Sequence, residues 1–250
     1  MYKDRKNKLS LLRNKKIIFK RGNTMNTIAE LIKRDQNVPE VIKFKFKLEN
    51  NLEYLPGQYI MISFPDSPEQ KRAFSIMDYS REEKILDLGI KIHGDFTKRL
   101  SESKIGTKLN LSGPFGRFRI KDSHKKNVFI AGGIGITPVF NMIKYADLSS
   151  ENNYLLYSSR TKKDMPFFEE VSELSDNKVK KCLFFTRSQE AEGKNEHITC
   201  ESIIGVDNSL AQNKEEVFFY ICGPNKMIDA LRTQLLEKGY LDENIISEEF

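Results

Sequence analysis

The stretch that most constrains this chain runs from Asn127 to Phe140: Asn-Val-Phe-Ile-Ala-Gly-Gly-Ile-Gly-Ile-Thr-Pro-Val-Phe. It begins as a short apolar run, the pattern of a strand buried on both faces. Gly132, Gly133 and Gly135 follow, and from Thr137 the apolar residues recur at helical spacing through Val139, Met142 and Ile143. The pattern predicts Thr137 as the N-cap and Pro138 in the first helical turn, where a missing N–H costs nothing. A strand, a glycine turn and a helix N-terminus together form an anion site. Glycine lets the backbone approach a pyrophosphate, and the free N–H groups and helix dipole point at it. The spacing is G-x-G-x-x-P, a dinucleotide fingerprint with proline in place of the third glycine. An ordinary tight βα turn has the same look, so the rest of the chain must decide.

At 250 residues the chain has room for two domains, each with its own core. Lys and Arg interrupt every apolar run that could span a membrane. The three cysteines, Cys182, Cys200 and Cys222, are far apart and show no C-x-x-C spacing. That argues against a disulfide scaffold, a structural metal or an iron–sulfur cluster, and fits the cytoplasm. The net charge of +6 comes from one end. Residues 1–24 hold nine Lys/Arg against Asp4 alone, and residues 25–250 carry −2. The case for nucleic-acid binding disappears with that segment. Being rich in Lys and Asn, with a single serine, it reads as a dispensable extension or a solvated arm rather than a targeting peptide.

From residue 25 to about 122 the texture is β. Val41 to Leu48 alternates apolar and basic residues, as a strand with one wet face should. Further strands are expected at Tyr59–Phe64 after a Pro56-Gly57 turn, at Ile85–Ile92 and at Lys108–Leu111, with a short helix at Phe96–Leu100. An irregular glycine-rich loop from Ser112 to Phe118 closes this half. Together they suggest a small antiparallel barrel. From residue 126 to 250 strands alternate with helices. Strands are expected at Tyr154–Ser158, Cys182–Phe185 and Val217–Ile221, and helices at Phe167–Leu174 and Lys226–Lys238. The last helix carries Met227, Ile228, Leu231, Leu235 and Leu236 on its apolar side. This half reads as a doubly wound parallel sheet.

Arg72-Ala73-Phe74-Ser75 offers an Arg, an aromatic and a hydroxyl in one short strand, suited to a phosphate, a flat ring and a polar ring atom. Gly94-Asp95-Phe96-Thr97 repeats the glycine-then-hydroxyl logic at a helix start. In isolation an exposed strand Arg and a plain helix cap are the favoured explanations. In chain order, however, Arg72 to Ser75, Gly94 to Thr97, Gly113-Pro114-Phe115-Gly116, Gly132 to Pro138, Cys222-Gly223-Pro224 and Phe250 resemble the motif series of the ferredoxin–NADP⁺ reductase superfamily. The resemblance covers residues 26–250.

The resemblance implies an NAD(P)H-dependent flavoprotein reductase that binds FAD, with FMN as the shorter alternative. Arg72 would hold the flavin pyrophosphate, Phe74 would lie against the ring and Ser75 would sit near flavin N5. Gly94 and Thr97 would hold the flavin phosphates. Gly132, Gly133, Gly135, Thr137 and Pro138 would wrap the nicotinamide dinucleotide, with Gly223 and Met227 beside them. Cys222 would lie by the nicotinamide and Phe250 would cover the flavin, which makes Ser75, Cys222 and Phe250 the catalytic set. Glu248 and Glu249 fall near a position where some members carry a proton-relaying acid. Some relatives have Thr where Ile134 stands, which removes one hydroxyl contact here. No metal is expected, and His93, His124 and His197 read as surface or loop residues.

An NAD-specific site commonly has Asp or Glu at the end of the second strand. Here the second and third strands end in Arg160 and Arg187, positions resembling those that grip the 2′-phosphate in NADPH-using relatives. NADPH is therefore expected over NADH, although Asp164 lies close by in sequence. With no cluster cysteines, electrons would pass to a separate protein such as ferredoxin, flavodoxin or an oxygenase component. The alternatives are a small acceptor (quinone, ferric chelate or free flavin) and a non-catalytic flavin- or nucleotide-binding module.

Overall fold

The computed structural model describes residues 24–149, 151–187 and 193–249. All but the last residue of the basic segment 1–24 therefore lies outside the described residues, as does Phe250.

The first half is a seven-stranded antiparallel sheet of β1 (Met25–Val38), β2 (Val41–Leu48), β3 (Tyr59–Ser63), β4 (Arg72–Ser75), β5 (Asp78–Ser80), β6 (Ile85–Lys91) and β7 (Lys108–Phe115). Its order is β4-β3-β7-β1-β2-β6-β5. The two end strands are consecutive in sequence, and this is what closes the barrel. Ile76 donates to Gln58 O, extending β4 along β3, and Met77 donates to Asp87 O, extending β5 along β6. Helix α1 (Asp95–Glu102) sits between β6 and β7. Phe44, Phe46 and Leu48 point inward with Ile60, Ile62, Leu86, Leu88, Leu109 and Leu111. Strand β7 continues through Gly113-Pro114-Phe115, where an irregular loop was expected, because its partner β3 runs on to pair Tyr59 with Phe115.

The β1–β2 turn puts Glu40 at φ 63, a left-handed conformation that glycine adopts without steric cost. Among the described residues the Glu40 side chain makes a loose, exposed ion pair to Lys91 at 3.7 Å and no other. Glu40→Gly is therefore expected to stabilise the protein by about 1 kcal/mol, read as a rise of about 2–4 °C in melting temperature.

The second half is a five-stranded parallel sheet in the order β10-β9-β8-β11-β12. Its elements are β8 (Lys126–Gly132), α2 (Ile136–Tyr145), β9 (Asn153–Ser159), α3 (Phe168–Ser172), β10 (Lys180–Phe185), α4 (Cys200–Ile204), β11 (Val217–Gly223), α5 (Asn225–Glu237) and β12 (Ile245–Glu249). Alternation splits each strand between two cores. Val128, Ile130, Phe219 and Ile221 face α4 and α5. Phe129, Ala131, Tyr220 and Cys222 face α2, α3 and the barrel residues Val41, Met77 and Phe118. Leu236, read as part of the apolar side of α5, is 41% exposed.

The two halves are joined by polar bonds as well as by this shared core. Asn141 of α2 is buried and donates to Tyr54 Oη (3.0 Å) and Met77 O (3.1 Å), while Gly57 N–H donates to its Oδ1. Gly57 has φ 95, and a Cβ there would sit 2.1 Å from Phe118 O, so the predicted Pro56-Gly57 turn admits no side chain. The outer face of β2 is not wet along its whole length. Lys43 and Lys45 pair with the buried Asp87 at 3.4 and 2.7 Å, and Lys43 also reaches Glu170 of α3 at 3.1 Å. Burial opposes the charge on Lys43, but these carboxylates outweigh it and hold its pKa above the usual lysine value.

Candidate functional site

Strand β8 and the residues after it fold as the sequence requires, with one shift. Gly133 to Gly135 form a 3-10 turn that runs directly into α2. The helix thus begins before Thr137, which lies in its first turn instead of at the N-cap, next to Pro138. Thr137 is buried; its hydroxyl donates to Ile134 O at 3.1 Å and its methyl abuts Gly89 of the barrel. The three glycines do different work. A Cβ on Gly135 would lie 2.2 Å from Cys222 O, and one on Gly132 would strike Met227 Sδ at 2.8 Å. Gly133 has φ +54 and nothing within 4 Å of a Cβ position, so it borders open space. Gly223 and Met227 close the other side, where Met227 Cε would meet a Gly223 Cβ at 2.7 Å. This is the point where the chain leaves β8 for β9 on one side and β11 lies on the other, the switch point at which open α/β sheets bind nucleotides.

On the barrel side, Arg72 and Phe74 converge on α1. The Arg72 guanidinium lies 5.8 Å from the Phe96 ring, and Phe74 lies 6.1 Å from the same ring. Gly94, at φ +82 with open space around its Cβ position, starts the helix. The first-turn N–H groups have no intrahelical acceptor. An exposed arginine thus stands beside that helix start. Thr97 is turned inward, its hydroxyl accepting from His93 N–H at 2.7 Å and donating to His93 O at 2.8 Å, so it shapes the turn.

Ser75, Cys222 and Glu248 meet at the seam between the halves. Parallel pairing of β11 with β12 sets Cys222 opposite Glu248. Ser75 Oγ donates to Glu248 Oε1 at 3.4 Å. Gly116 leaves room for this carboxylate, whose Oε2 lies 3.8 Å from a Cβ position there. Burial pushes the Glu248 carboxyl up to about 7, against the opposing pull of the Ser75 hydroxyl. Burial, and then the neighbouring Glu248, hold the Cys222 thiol well above its ordinary value. Burial thus favours the protonated thiol of Cys222 and brings the Glu248 carboxyl toward neutrality. Phe250, expected over the flavin, lies outside the described residues.

Arg160 and Arg187 are brought side by side: Arg187 N–H donates to Arg160 O at 2.9 Å at the ends of β9 and β10. Both are exposed. Asp164 instead accepts from the Thr161 hydroxyl at 3.0 Å.

Two family models match the chain, an oxidoreductase FAD-binding domain over residues 28–120 and an oxidoreductase NAD-binding domain over residues 129–233. The chain belongs to the ferredoxin–NADP⁺ reductase superfamily. Its halves are those of an NAD(P)H-dependent flavoprotein oxidoreductase, the barrel binding FAD and the parallel sheet the nicotinamide dinucleotide. Flavohemoprotein A of Dictyostelium discoideum is 31% identical over 242 residues, 86% of this chain and 59% of that protein. NADH-cytochrome b5 reductase 1 of Candida glabrata is 27% identical over 227 residues, 84% of this chain and 79% of that one. The ferredoxin NADP⁺ reductase of Neisseria gonorrhoeae, solved with FAD and NADP, shares the fold with a TM-score of 0.73 at 18% identity, covering 91% of this chain and 99% of that chain. This chain thus spans little more than half of the flavohemoprotein. Among the described residues no helix is long and apolar enough to cross a membrane.

Proposed function

We propose that this chain takes a hydride from NADPH onto FAD and passes the electrons singly to a separate protein, a ferredoxin, a flavodoxin or an oxygenase component. Flavin supplies the chemistry, accepting two electrons together and releasing them one at a time. The residues supply position. Arg72 and the α1 N-terminus hold the flavin phosphates, and Phe74 supports the ring. Ser75 meets its polar edge, and Gly133 opens the way for the dinucleotide to reach it. The observation that carries this reading is the meeting of Ser75 from the barrel with Cys222 and Glu248 from the sheet at one seam.

The neighbouring Arg160 and Arg187 support NADPH, because both are exposed, neither has an acidic partner among the described residues, and a 2′-phosphate is the anion that two such arginines would take. The relatedness to an NADH-cytochrome b5 reductase supports a second reading, with NADH as donor and a haem protein as acceptor. A reducing cytoplasm suits the three free cysteines.

An anaerobic visible spectrum before and after each nucleotide tests the proposal. A yellow protein should bleach at least tenfold faster with NADPH than with NADH. Arg160→Ala with Arg187→Ala should remove roughly 10–100-fold of the NADPH rate and leave NADH unchanged. If NADH alone bleaches the protein, the two arginines lose their role. A colourless protein that FAD cannot reconstitute would sink the proposal.

A further inference from the structure

Tyr157, one position from the end of the sequence-read second strand, belongs to none of the motifs, yet its hydroxyl sits between two peptide groups. It is fully buried, with Oη 2.6 Å from Pro166 O and 3.2 Å from Gly133 O. A phenol has one proton, so the two carbonyls share a single donor. Each belongs to a planar trans peptide whose N–H points the opposite way. In the Pro166–Phe167 peptide, the Phe167 N–H donates to Asn37 Oδ1 of β1 at 2.7 Å. In the Gly133–Ile134 peptide, Gly133 O also accepts Ile136 N–H, so both its lone pairs are engaged and the Ile134 N–H is turned away from the core.

We infer that Tyr157 is a positioning residue that couples the barrel to the dinucleotide-binding turn, through the series Asn37, the Pro166–Phe167 peptide, the Tyr157 hydroxyl and the Gly133–Ile134 peptide. The inference rests on the proposed nicotinamide site at Gly133. Phe167 shows that this path is held under constraint. It has φ 56 although it is not glycine, and its ring is fully buried against Gly89, where a Cβ would come within 2.5 Å. Such a conformation persists only where its surroundings impose it, and the Asn37 bond is one of the constraints. The barrel hairpin thereby fixes which way the glycine turn presents its N–H groups to an anion.

Titration of NADP⁺ into the FAD-loaded protein tests this by calorimetry. Tyr157→Phe keeps the ring and the packing and should weaken NADP⁺ about fivefold, the worth of one neutral hydrogen bond. Asn37→Ala, in the other domain, should weaken it about threefold, while Asn37→Asp, which keeps the accepting oxygen, should restore wild-type affinity. The double variant Asn37→Ala/Tyr157→Phe should be no weaker than Tyr157→Phe alone, because both changes cut one path. The visible absorbance of FAD per chain should stay constant throughout. A lower melting temperature with unchanged NADP⁺ affinity in Tyr157→Phe, or strictly additive losses, would overturn the inference. A wild-type protein that binds FAD but neither NADP⁺ nor NAD⁺ would instead overturn the nicotinamide site on which it rests.

Discussion

Glu248→Gln should slow turnover with a one-electron acceptor about 100-fold, the lower end of what a positioned acid or base contributes, and should make the flavin-free protein more stable at pH 8. The first half follows from where the proton must go. Hydride transfer itself asks for no acid, so bleaching by NADPH should change little. With FAD bound, the proton that arrives with the hydride would have to be carried from the ring to solvent by residues of this chain. Ser75 Oγ, 3.4 Å from Glu248 Oε1, would be the group to pass it on. Glutamine cannot accept it, and the pH dependence centred near 7 should flatten. The second half follows from linkage. The folded protein raises this carboxyl from 4.5 to about 7, so it binds the proton more tightly than the unfolded chain does. Below pH 4.5 nothing is lost. Between 4.5 and 7 the ionised group costs progressively more, reaching about 3 kcal/mol above that window. Glutamine carries no such cost. Urea midpoints of the apoprotein at pH 8 and pH 4.5 check the sign: the variant should exceed wild type at the first and match it at the second. Equal midpoints at both would mean that the carboxyl is not desolvated.

Two alanines placed two residues apart should fail in opposite ways. Gly135→Ala drives a methyl to within 2.2 Å of Cys222 O and 2.8 Å of Gly223 N, both backbone atoms of β11. Neither the strand nor the helix start can yield without opening the shared core, so the loss should be roughly 3 kcal/mol, or about 10 °C in melting temperature. Gly133→Ala meets no atom at all. Its left-handed backbone costs an alanine about 1 kcal/mol, so the protein should fold and bind FAD normally. In the proposed binding mode the methyl would occupy the space through which the dinucleotide approaches, and NADP⁺ affinity should fall tenfold or more. If Gly133→Ala binds NADP⁺ as wild type does, the open side of this turn is not where the dinucleotide lies.

Much of this was legible in the sequence because local pattern and tertiary role coincide. The apolar run before three glycines needs its turn wherever it folds, and Arg72, Phe74 and Ser75 sit on a short strand whose alternation is plain. Other parts were not. Strand β1 carries Lys33, Arg34 and Asp35 in its second half, where it pairs with β2 alone because its pairing with β7 ends at Glu30. Strand β12 ends in two glutamates that the sequence placed only near a proton-relaying position of some relatives, and it is parallel pairing with β11 that sets Glu248 against Cys222. Helix α4 is five residues long and is held by Thr199 and Ser202 in a capping box without the usual glutamate. Lys43 looked like half of a solvated alternation, and only α3 of the other domain makes it a partner of Glu170. For Glu248 and Lys43 the missing information was a neighbour distant in sequence.

The Asn141 side chain has a consequence for anyone recombining such proteins. It sits on the helix that issues from the dinucleotide turn, yet each of its hydrogen bonds is to the barrel, at Tyr54, Gly57 and Met77. A chimera cut at the inter-domain linker would therefore inherit a docking plug from one parent and its socket from the other. Grafting a foreign nicotinamide half onto this barrel should work only when position 141 and those three contacts travel together. The transferable module is thus defined by a joint between the halves and not by the chain boundary that separates them.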